Sequence, residues 1–162
     1  MEKQLEGKLS LITGAAAGIG EAIARRFVQE GASVLLVDRQ ERACNDLAKE
    51  IGGHSFTIDV SCEEEVKSMM RACDDSYGGL DVLVNNAGIV PDRIEAEAMD
   101  IMLWDEVQAI NVRGVILCTK YAIPLLKKRC GNIINMASLS GLYGRKGHSA
   151  YSASKFGLDG MT

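Results

Sequence analysis

A tyrosine and a lysine four positions apart are the residues of this chain best suited to move a proton. They are Tyr151 and Lys155 of the segment Tyr-Ser-Ala-Ser-Lys, which begins thirteen residues after Ser138. Residues four apart are neighbours on a helix, and an ammonium group favours the ionised form of a nearby phenol. The pair is therefore a candidate general acid and base. Alone it is a weak signal, because such pairs are common on ordinary helices.

A run of glycines near the start of the chain could hold a phosphate. Residues 7–13 have the short apolar pattern of a buried strand, the glycine-rich segment Thr13–Gly20 follows at once, and residues 21–30 show helical periodicity. In such an arrangement, free backbone N–H groups at the helix start attract a pyrophosphate. A P-loop would need lysine after its last glycine, where this chain has Glu21. A turn that binds no ligand is the alternative.

The second predicted strand, residues 33–38, ends in a carboxylate. Asp38 lies eighteen positions after Gly20, where a carboxylate can accept hydrogen bonds from the adenosine ribose of NAD and repel the additional phosphate of NADP. Arg39 could pair with that phosphate, although a lone surface cation usually makes no specific contact. No basic residue lies within the glycine-rich segment to assist it. The sequence therefore favours NAD, with NADP as the alternative.

Together these motifs resemble those of the short-chain dehydrogenase/reductase family, and the resemblance runs from about Leu5 to the last residue. Residues 13–20 match the TGxxxGxG turn, residues 59–60 match an acidic and apolar pair that contacts adenine, and residues 85–88 match an NNAG stretch. The resemblance implies that the cofactor contacts are Gly14, Gly18, Ile19, Gly20, Asp38, Arg39, Asp59, Val60, Asn86, Ala87, Gly88, Tyr151 and Lys155.

The same resemblance implies a catalytic tetrad of Asn111, Ser138, Tyr151 and Lys155. Tyr151 would give a proton to a carbonyl oxygen, or take one from an alcohol, as hydride passes between substrate and nicotinamide. Lys155 would assist Tyr151 by its charge and hydrogen-bond to the nicotinamide ribose. Ser138 would hold the substrate oxygen. Asn111 would position a water that relays protons from Lys155 to solvent.

The alternation of predicted elements implies an α/β fold, a Rossmann-like doubly wound parallel sheet in one partial NAD-binding domain over residues 1–162. Strands are predicted near residues 8–13, 33–38, 54–58, 80–85 and 131–137. Helices are predicted near residues 19–30, 40–51, 62–77, 100–110, 112–129 and from residue 150 onward. Ser61 and Glu64 have the spacing of a capping box at the start of the third helix.

The composition is that of an ordinary globular protein, with 47% apolar and 25% charged residues. The net charge of -4 provides no basic surface for nucleic acid. No apolar run of membrane-spanning length and no signal-peptide pattern near Met1 is recognised, so a cytoplasmic protein without a membrane partner is expected. Five cysteines and two histidines lack metal-ligand spacing, so neither a metal site nor a disulfide framework is expected.

The resemblance also predicts that the chain is shorter at its C-terminal end than members of the family. Family members continue beyond the helix of the Tyr-Lys pair with further strands and a segment that closes over substrate, whereas this sequence ends at Thr162. The resemblance therefore implies a fragment whose sheet is incomplete at its C-terminal edge. Expressed alone, such a fragment is expected to aggregate or to fold weakly, and to show no dehydrogenase activity. The complete protein is expected to be a homo-oligomer, either a dimer or a tetramer.

Three classes of function are consistent with the sequence. The first is an oxidoreductase that transfers hydride between NAD(H) and a secondary alcohol or ketone, with an NADP-dependent 3-oxoacyl thioester reductase as its near alternative. The second is a lyase or epimerase, although those relatives resemble a TGxxGxxG turn and this chain has three residues between its first two glycines. The third is a non-catalytic nucleotide-binding fragment. Residues 89–95 and 139–150 are the candidate substrate loops, and they specify no single substrate.

Overall fold

The computed structural model describes residues 3–161, and its centre is a sheet of five parallel strands. In chain order the strands are β1 (Leu9–Thr13), β2 (Ser33–Asp38), β3 (His54–Thr57), β4 (Val82–Asn85) and β5 (Asn132–Asn135). Across the sheet their order is β3-β2-β1-β4-β5, and every neighbouring pair is parallel. The chain therefore has the doubly wound parallel sheet that its element order predicts.

Six α-helices connect the strands and cover both faces of the sheet. They are α1 (Gly18–Gln29), α2 (Glu41–Ile51), α3 (Glu63–Tyr77), α4 (Ile101–Gln108), α5 (Gly114–Arg129) and α6 (Ser149–Asp159). Every predicted strand and helix is present, and each predicted boundary lies within two residues of the observed one. Met1 and Thr162, to which the expectations about a leader segment and the chain end refer, lie outside the described residues.

Alternate residues of the strands pack on opposite faces of the sheet. Leu11 and Leu83 belong to the core formed with α3 and α5, whereas Ile12 and Val84 belong to the core formed with α1 and α2. Burial of such a side chain stabilises a fold by roughly 1.5–3 kcal/mol. Because both faces are covered at the centre of the sheet, strands β1, β2 and β4 are mostly apolar, whereas the edge strands β3 and β5 are at least half polar and partly exposed. The connection after β1 runs over one face of the sheet to β2, and the connection after β4 runs over the other face to β5, which opens a crevice at the carboxyl ends of β1 and β4.

A π-helical segment, Ala109–Arg113, joins α4 to α5 where the sequence predicts a break near residue 111. The N–H of Gly114 bonds to the carbonyl of Ala109, five residues earlier. This wider turn accommodates one additional residue, and it carries Asn111 in the protein interior with only 1% of its surface exposed. Such insertions in helices are frequent at functional sites.

The continuous helical stretch from Ile101 to Arg129 corrects the expectation that no apolar run reaches membrane-spanning length. Its 29 residues are long and apolar enough to cross a membrane, and half of its most apolar part is buried inside the fold. Leu117 and Leu125 of this stretch belong to the same core as residues of α3. A core helix of a globular protein meets the same length and composition criterion, so the stretch is weak evidence for a span.

The start of α3 differs from the predicted capping box. The capping residue is Cys62, and Ser61 donates its hydroxyl to Asp59 at 2.7 Å. Glu64 makes an ion pair with Lys67 at 3.7 Å. The Ser61 side chain therefore stabilises the loop before the helix, and within the described residues no side chain caps α3.

Asp81, just before β4, connects the amino ends of two strands with α5. Its buried carboxylate accepts hydrogen bonds from the Leu9 N–H at 2.9 Å, from Arg129 at 3.0 Å and from Lys8 at 3.2 Å. Burial raises the pKa of this carboxyl, but the bonds from Leu9, Arg129 and Lys8 outweigh it, so the pKa lies below its ordinary value. The charged form of Asp81 therefore stabilises the fold.

Asp81→Asn should lower the free energy of unfolding at pH 7 by about 2 kcal/mol, because Arg129 and Lys8 lose a charged partner. A carboxyl whose pKa is lowered by folding stabilises the protein above its unfolded pKa of about 3.9 and loses that contribution as the pH falls through its folded pKa. The difference between wild type and variant should therefore narrow below about pH 4. Urea unfolding at neutral and acidic pH measures this difference in the free energy of unfolding, and Asp75→Asn, at an exposed position, is the control. A difference independent of pH would contradict the assignment.

Candidate functional site

A cavity of about 420 Å³ lies at the carboxyl ends of the strands. Asp38 borders one end, and Tyr151 and Lys155 of α6 border the other. Eleven of the thirteen residues expected to contact the cofactor line it, namely Gly14, Ile19, Asp38, Arg39, Asp59, Val60, Asn86, Ala87, Gly88, Tyr151 and Lys155. The remaining two, Gly18 and Gly20, shape the turn beside it. The fold thus brings together residues from five separate segments of the chain.

Three glycines allow the sharp turn between β1 and α1. Gly14 and Gly18 have φ angles of 64° and 60°, in a region that disfavours other residues by about 1–2 kcal/mol. A Cβ on Gly20 would lie 2.1 Å from the Gly14 carbonyl oxygen, whereas a Cβ on Gly18 would meet nothing within 4 Å. Within the described residues no side chain caps α1. The open start of this helix therefore presents N–H groups and a positive dipole end that suit a phosphate.

Thr13 and Asn86 hold the glycine turn against the loop after β4. The Thr13 hydroxyl donates to the Val84 carbonyl at 3.3 Å. It also accepts the N–H groups of Asn86 and Ala87, each at 3.0 Å. The Asn86 amide donates to the carbonyls of Thr13 and Gly14 at 2.9 and 3.0 Å. Thr13 is thus a supporting residue that sequence reasoning missed, and its place directly before the glycines was the available signal.

The carboxylate of Asp38 is oriented by two backbone N–H groups. Ala16 donates to Oδ2 and Gln40 donates to Oδ1, each at 3.0 Å. Each oxygen keeps a lone pair with which it can accept a further hydrogen bond. Arg39 is exposed and lines the same part of the cavity. Two side chains with opposite preferences, one for ribose hydroxyls and one for a phosphate, therefore lie side by side.

Asp59 and Val60 are fixed in the loop after β3. The Asp59 Oδ1 accepts the N–H and the hydroxyl of Ser61 at 2.8 and 2.7 Å, and the Asp59 N–H donates to Glu65 at 2.8 Å. Val60 is buried close to Gly114, where a Cβ would lie 2.9 Å from a Val60 methyl carbon. An apolar side chain beside a carboxylate suits an aromatic base that has polar groups at its edge.

Tyr151 and Lys155 lie one turn apart on α6, as their spacing predicts. The Lys155 nitrogen lies 5.8 Å from the centre of the Tyr151 ring. Lys155 is 6% exposed and donates to the carbonyl of Met136, just after β5, at 2.6 Å. Burial lowers the pKa of the Lys155 ammonium group, and the charge of Asp159 opposes this shift. Lys155 therefore holds its proton less tightly than a solvent-exposed lysine.

Ser138 and Asn111, the other two predicted catalytic residues, do not line the cavity. Ser138 follows β5, and its hydroxyl accepts the Ser140 N–H at 3.2 Å to begin a short turn of 3-10 helix. The Asn111 amide donates to the Ile89 carbonyl at 3.0 Å and to the Ser154 hydroxyl at 3.1 Å. Its oxygen accepts the Ile89 N–H at 2.8 Å. The Asn111 side chain thus has no N–H left for a relay water.

Sequence reasoning also missed most of the apolar wall of the cavity. Ile89 and Val90 line the cavity and belong to the predicted substrate loop 89–95. The lining residues that were not predicted are the polar Gln40 and the apolar Ala17, Val37, Ile58, Ile110, Met136 and Ala137. Val37, Ile58 and Met136 lie at or just after the carboxyl ends of strands, which was the signal that could have identified them. Ile110 comes from the π-helical segment, so only its packing could reveal it. Apolar walls with a few oriented polar groups are typical of sites for small organic molecules.

The chemistry of these residues fits a nicotinamide dinucleotide. The open glycine turn suits a pyrophosphate, and the Asp38 carboxylate suits a ribose diol. The apolar side chains of Ile58 and Val60 suit the faces of an adenine base. At the other end of the cavity, the tyrosine and the buried lysine provide groups that can exchange protons.

Comparison with known proteins supports this fit. Residues 8–162 match the family model described as short chain dehydrogenase. The chain is 40% identical to a 3-oxoacyl-acyl-carrier-protein reductase of Thermotoga maritima, over 98% of this chain and 67% of that protein. It is 37% identical to 3beta-hydroxysteroid dehydrogenase 2 of Eggerthella lenta, over 98% of this chain and 64% of that protein. The chain therefore spans 64 to 67% of the length of these two relatives.

A solved structure shows the same fold. A short chain dehydrogenase of Shigella flexneri, in complex with NADP, matches with a TM-score of 0.95 and 29% identity, over 99% of this chain and 71% of that one. The family model and the solved structure agree over nearly the whole chain. The chain therefore belongs to the short-chain dehydrogenase family.

Proposed function

We propose that the protein is an oxidoreductase that transfers hydride between NAD(H) and a secondary alcohol or its ketone. The observation that carries this proposal is that Tyr151 and Lys155 line the same cavity as the glycine turn and Asp38. A proton donor and a dinucleotide site within one cavity are what such a reaction requires. The oxidoreductase relatives support the reaction type.

In this proposal Tyr151 exchanges a proton with the substrate oxygen, and Lys155 assists it by charge. A bound nicotinamide supplies or accepts the hydride. Because burial lowers the pKa of Lys155, its proton is released more easily to restore the tyrosine. Ser138 would hold the substrate oxygen through its hydroxyl. Asn111 would keep the loop that contains Ile89 in place. Both amide hydrogens of Asn111 are already bonded, so a relay water near Asn111 would have to be held by another group.

Exposed apolar side chains in the two predicted substrate loops favour a substrate with an apolar carbon skeleton. Val90 lines the cavity and is mostly exposed. Leu139, Leu142 and Tyr143, on the loop after Ser138, are each more than half exposed. Covering such side chains with a substrate gains about 25 cal/mol per Å² of apolar surface. A relative named as a hydroxysteroid dehydrogenase is consistent with this substrate class.

An NADP-dependent 3-oxoacyl thioester reductase is the second candidate. Its support is the 40% identity to the Thermotoga maritima reductase, the NADP complex of the Shigella flexneri relative and the position of Arg39 on the cavity wall. The carboxylate of Asp38 in the same part of the cavity favours NAD instead.

The choice between the cofactors should depend on Asp38. We expect NAD to bind at least about tenfold more tightly than NADP, because a carboxylate close to the 2′-phosphate repels it. Asp38→Ala should narrow or reverse this difference, while the exposed Asp46→Ala should leave it unchanged. Isothermal titration calorimetry with both cofactors measures the effect. Tighter binding of NADP to the wild-type protein would move the preference to the second candidate.

Cofactor-coupled turnover tests the proposed function itself. The chain, extended to the full length of its relatives, is incubated with NAD and a panel that contains a cyclic secondary alcohol, a steroid alcohol and a 3-hydroxyacyl thioester, and formation of NADH is followed by absorbance. We expect turnover with NAD and an apolar secondary alcohol. Turnover confined to NADP and the thioester would establish the second candidate. Tight cofactor binding without turnover of any member would indicate a nucleotide-binding protein and overturn the proposal.

A further inference from the structure

A serine on α6 connects the helix of Tyr151 with the opposite side of the cavity. Ser154 directly precedes Lys155 and is 0% exposed. Its hydroxyl donates to the Tyr151 carbonyl at 2.7 Å and accepts from Asn111 Nδ2 at 3.1 Å. A serine hydroxyl has one proton. Its donation to Tyr151 therefore leaves only the oxygen lone pairs to face Asn111, and these suit the N–H that Asn111 presents.

Asn111 extends this connection to the loop after β4. Its oxygen accepts the Ile89 N–H at 2.8 Å, and its Nδ2 donates to the Ile89 carbonyl at 3.0 Å. A rotated amide would place oxygen against a carbonyl and nitrogen against an N–H, so only one orientation satisfies Ile89. In that orientation the second amide hydrogen points to Ser154. A directed series of hydrogen bonds therefore runs from Ile89 through Asn111 and Ser154 to Tyr151.

The ends of this series lie on the wall of the cavity and its middle is buried. Ile89 and Tyr151 both line the cavity, whereas Asn111 and Ser154 are enclosed by protein. Breaking a buried polar connection is costly, because the group that loses its partner cannot regain water. These hydrogen bonds therefore restrict the distance between the loop that contains Ile89 and the backbone of α6 at Tyr151.

We propose that Ser154 is a positioning residue. It holds Tyr151 at a fixed distance from the loop that contains Ile89, on the wall of the cofactor cavity, and proton transfer by Tyr151 requires this distance. This inference rests on the proposed function of Tyr151. Lys155 has a separate anchor, because it donates to the carbonyl of Met136. Loss of the Ser154 hydroxyl should therefore displace Tyr151 more than it disturbs the groups that bind the cofactor.

Ser154→Ala should lower kcat about tenfold to a hundredfold, since a misplacement of about 1 Å can cost that much. The Kd for NAD should stay close to the wild-type value. Ser152→Ala is the matched control, because Ser152 is a buried serine on the same helix whose hydroxyl has no hydrogen-bond partner within residues 3–161. Ser154→Thr keeps the hydroxyl and should recover turnover. A purely structural role would reduce the fraction of sites that bind NAD and leave kcat per binding site unchanged.

A second measurement needs no substrate. With tyrosine isotope-labelled at Cζ, the NMR signal of Tyr151, assigned by its loss in Tyr151→Phe, should shift or broaden in Ser154→Ala. The signal should keep its wild-type position in Ser152→Ala. If Ser154→Ala matches Ser152→Ala in both kcat and this signal, the positioning role is refuted. If the signal moves while wild type oxidises no alcohol, Ser154 positions the Tyr151 ring, but the proposed function fails and with it the role of Ser154 in proton transfer.

Discussion

Tyr151→Phe should reduce turnover by roughly a thousandfold, which lies within the range that general acid–base catalysis supplies. The substitution removes one hydroxyl and keeps the ring, so the packing of α6 should persist. NAD should bind with nearly wild-type affinity, because the glycine turn and Asp38 are unchanged and Lys155 keeps its bond to the Met136 carbonyl. Steady-state rates with the best alcohol of the panel and calorimetric titration of NAD measure the two effects separately.

Tyr77→Phe is the matched control for this experiment. Tyr77 ends α3 outside the cofactor cavity, and its ring packs edge-on against His54 with centroids 6.0 Å apart. The same hydroxyl is lost there, so turnover should remain near wild type. If Tyr151→Phe retained more than about a tenth of wild-type turnover, another group would have to supply the proton, and the mechanism would be wrong.

Gly20→Ala should weaken NAD binding by at least about a hundredfold and lower the free energy of unfolding by about 2 kcal/mol. The added methyl carbon would lie 2.1 Å from the Gly14 carbonyl oxygen and 2.7 Å from the Asn86 amide nitrogen. The turn would have to move away from α1, and the bond between Asn86 and Gly14 would be disrupted with it. Calorimetric titration of NAD and thermal unfolding measure both effects.

Gly157→Ala is the control, because Gly157 also lies inside a helix. A Cβ there would meet the Val112 methyl carbons at 3.7 and 3.9 Å, which is ordinary contact. Alanine is favoured over glycine within helices by about 0.5–1 kcal/mol. Gly157→Ala should therefore bind NAD normally and be at least as stable as wild type. Equal NAD affinity in the two variants would show that the turn accommodates a side chain at Gly20, contrary to our argument.

The sequence by itself determined the features that depend on residues close together in the chain. The order and bounds of strands and helices follow from apolar periodicity, which reports how each segment is buried. The neighbouring positions of Tyr151 and Lys155 follow from the pitch of a helix. Asp38 and the glycine turn meet in one cavity because both follow strands of a parallel sheet, whose carboxyl ends lie at the same edge.

The tertiary structure decided which of several possible partners a polar side chain bonds to. The π-helical segment directs the amide of Asn111 to Ile89 and Ser154, which the local sequence does not indicate, and the action of Asn111 on a water stays a prediction. The hydroxyl of Ser61 was predicted to cap α3, but it donates to Asp59. In each case the side chain had several possible partners of similar strength, and local sequence cannot rank them. Packing of the helices on the sheet ranks them, because it determines which donors and acceptors are brought within hydrogen-bonding distance and removed from water.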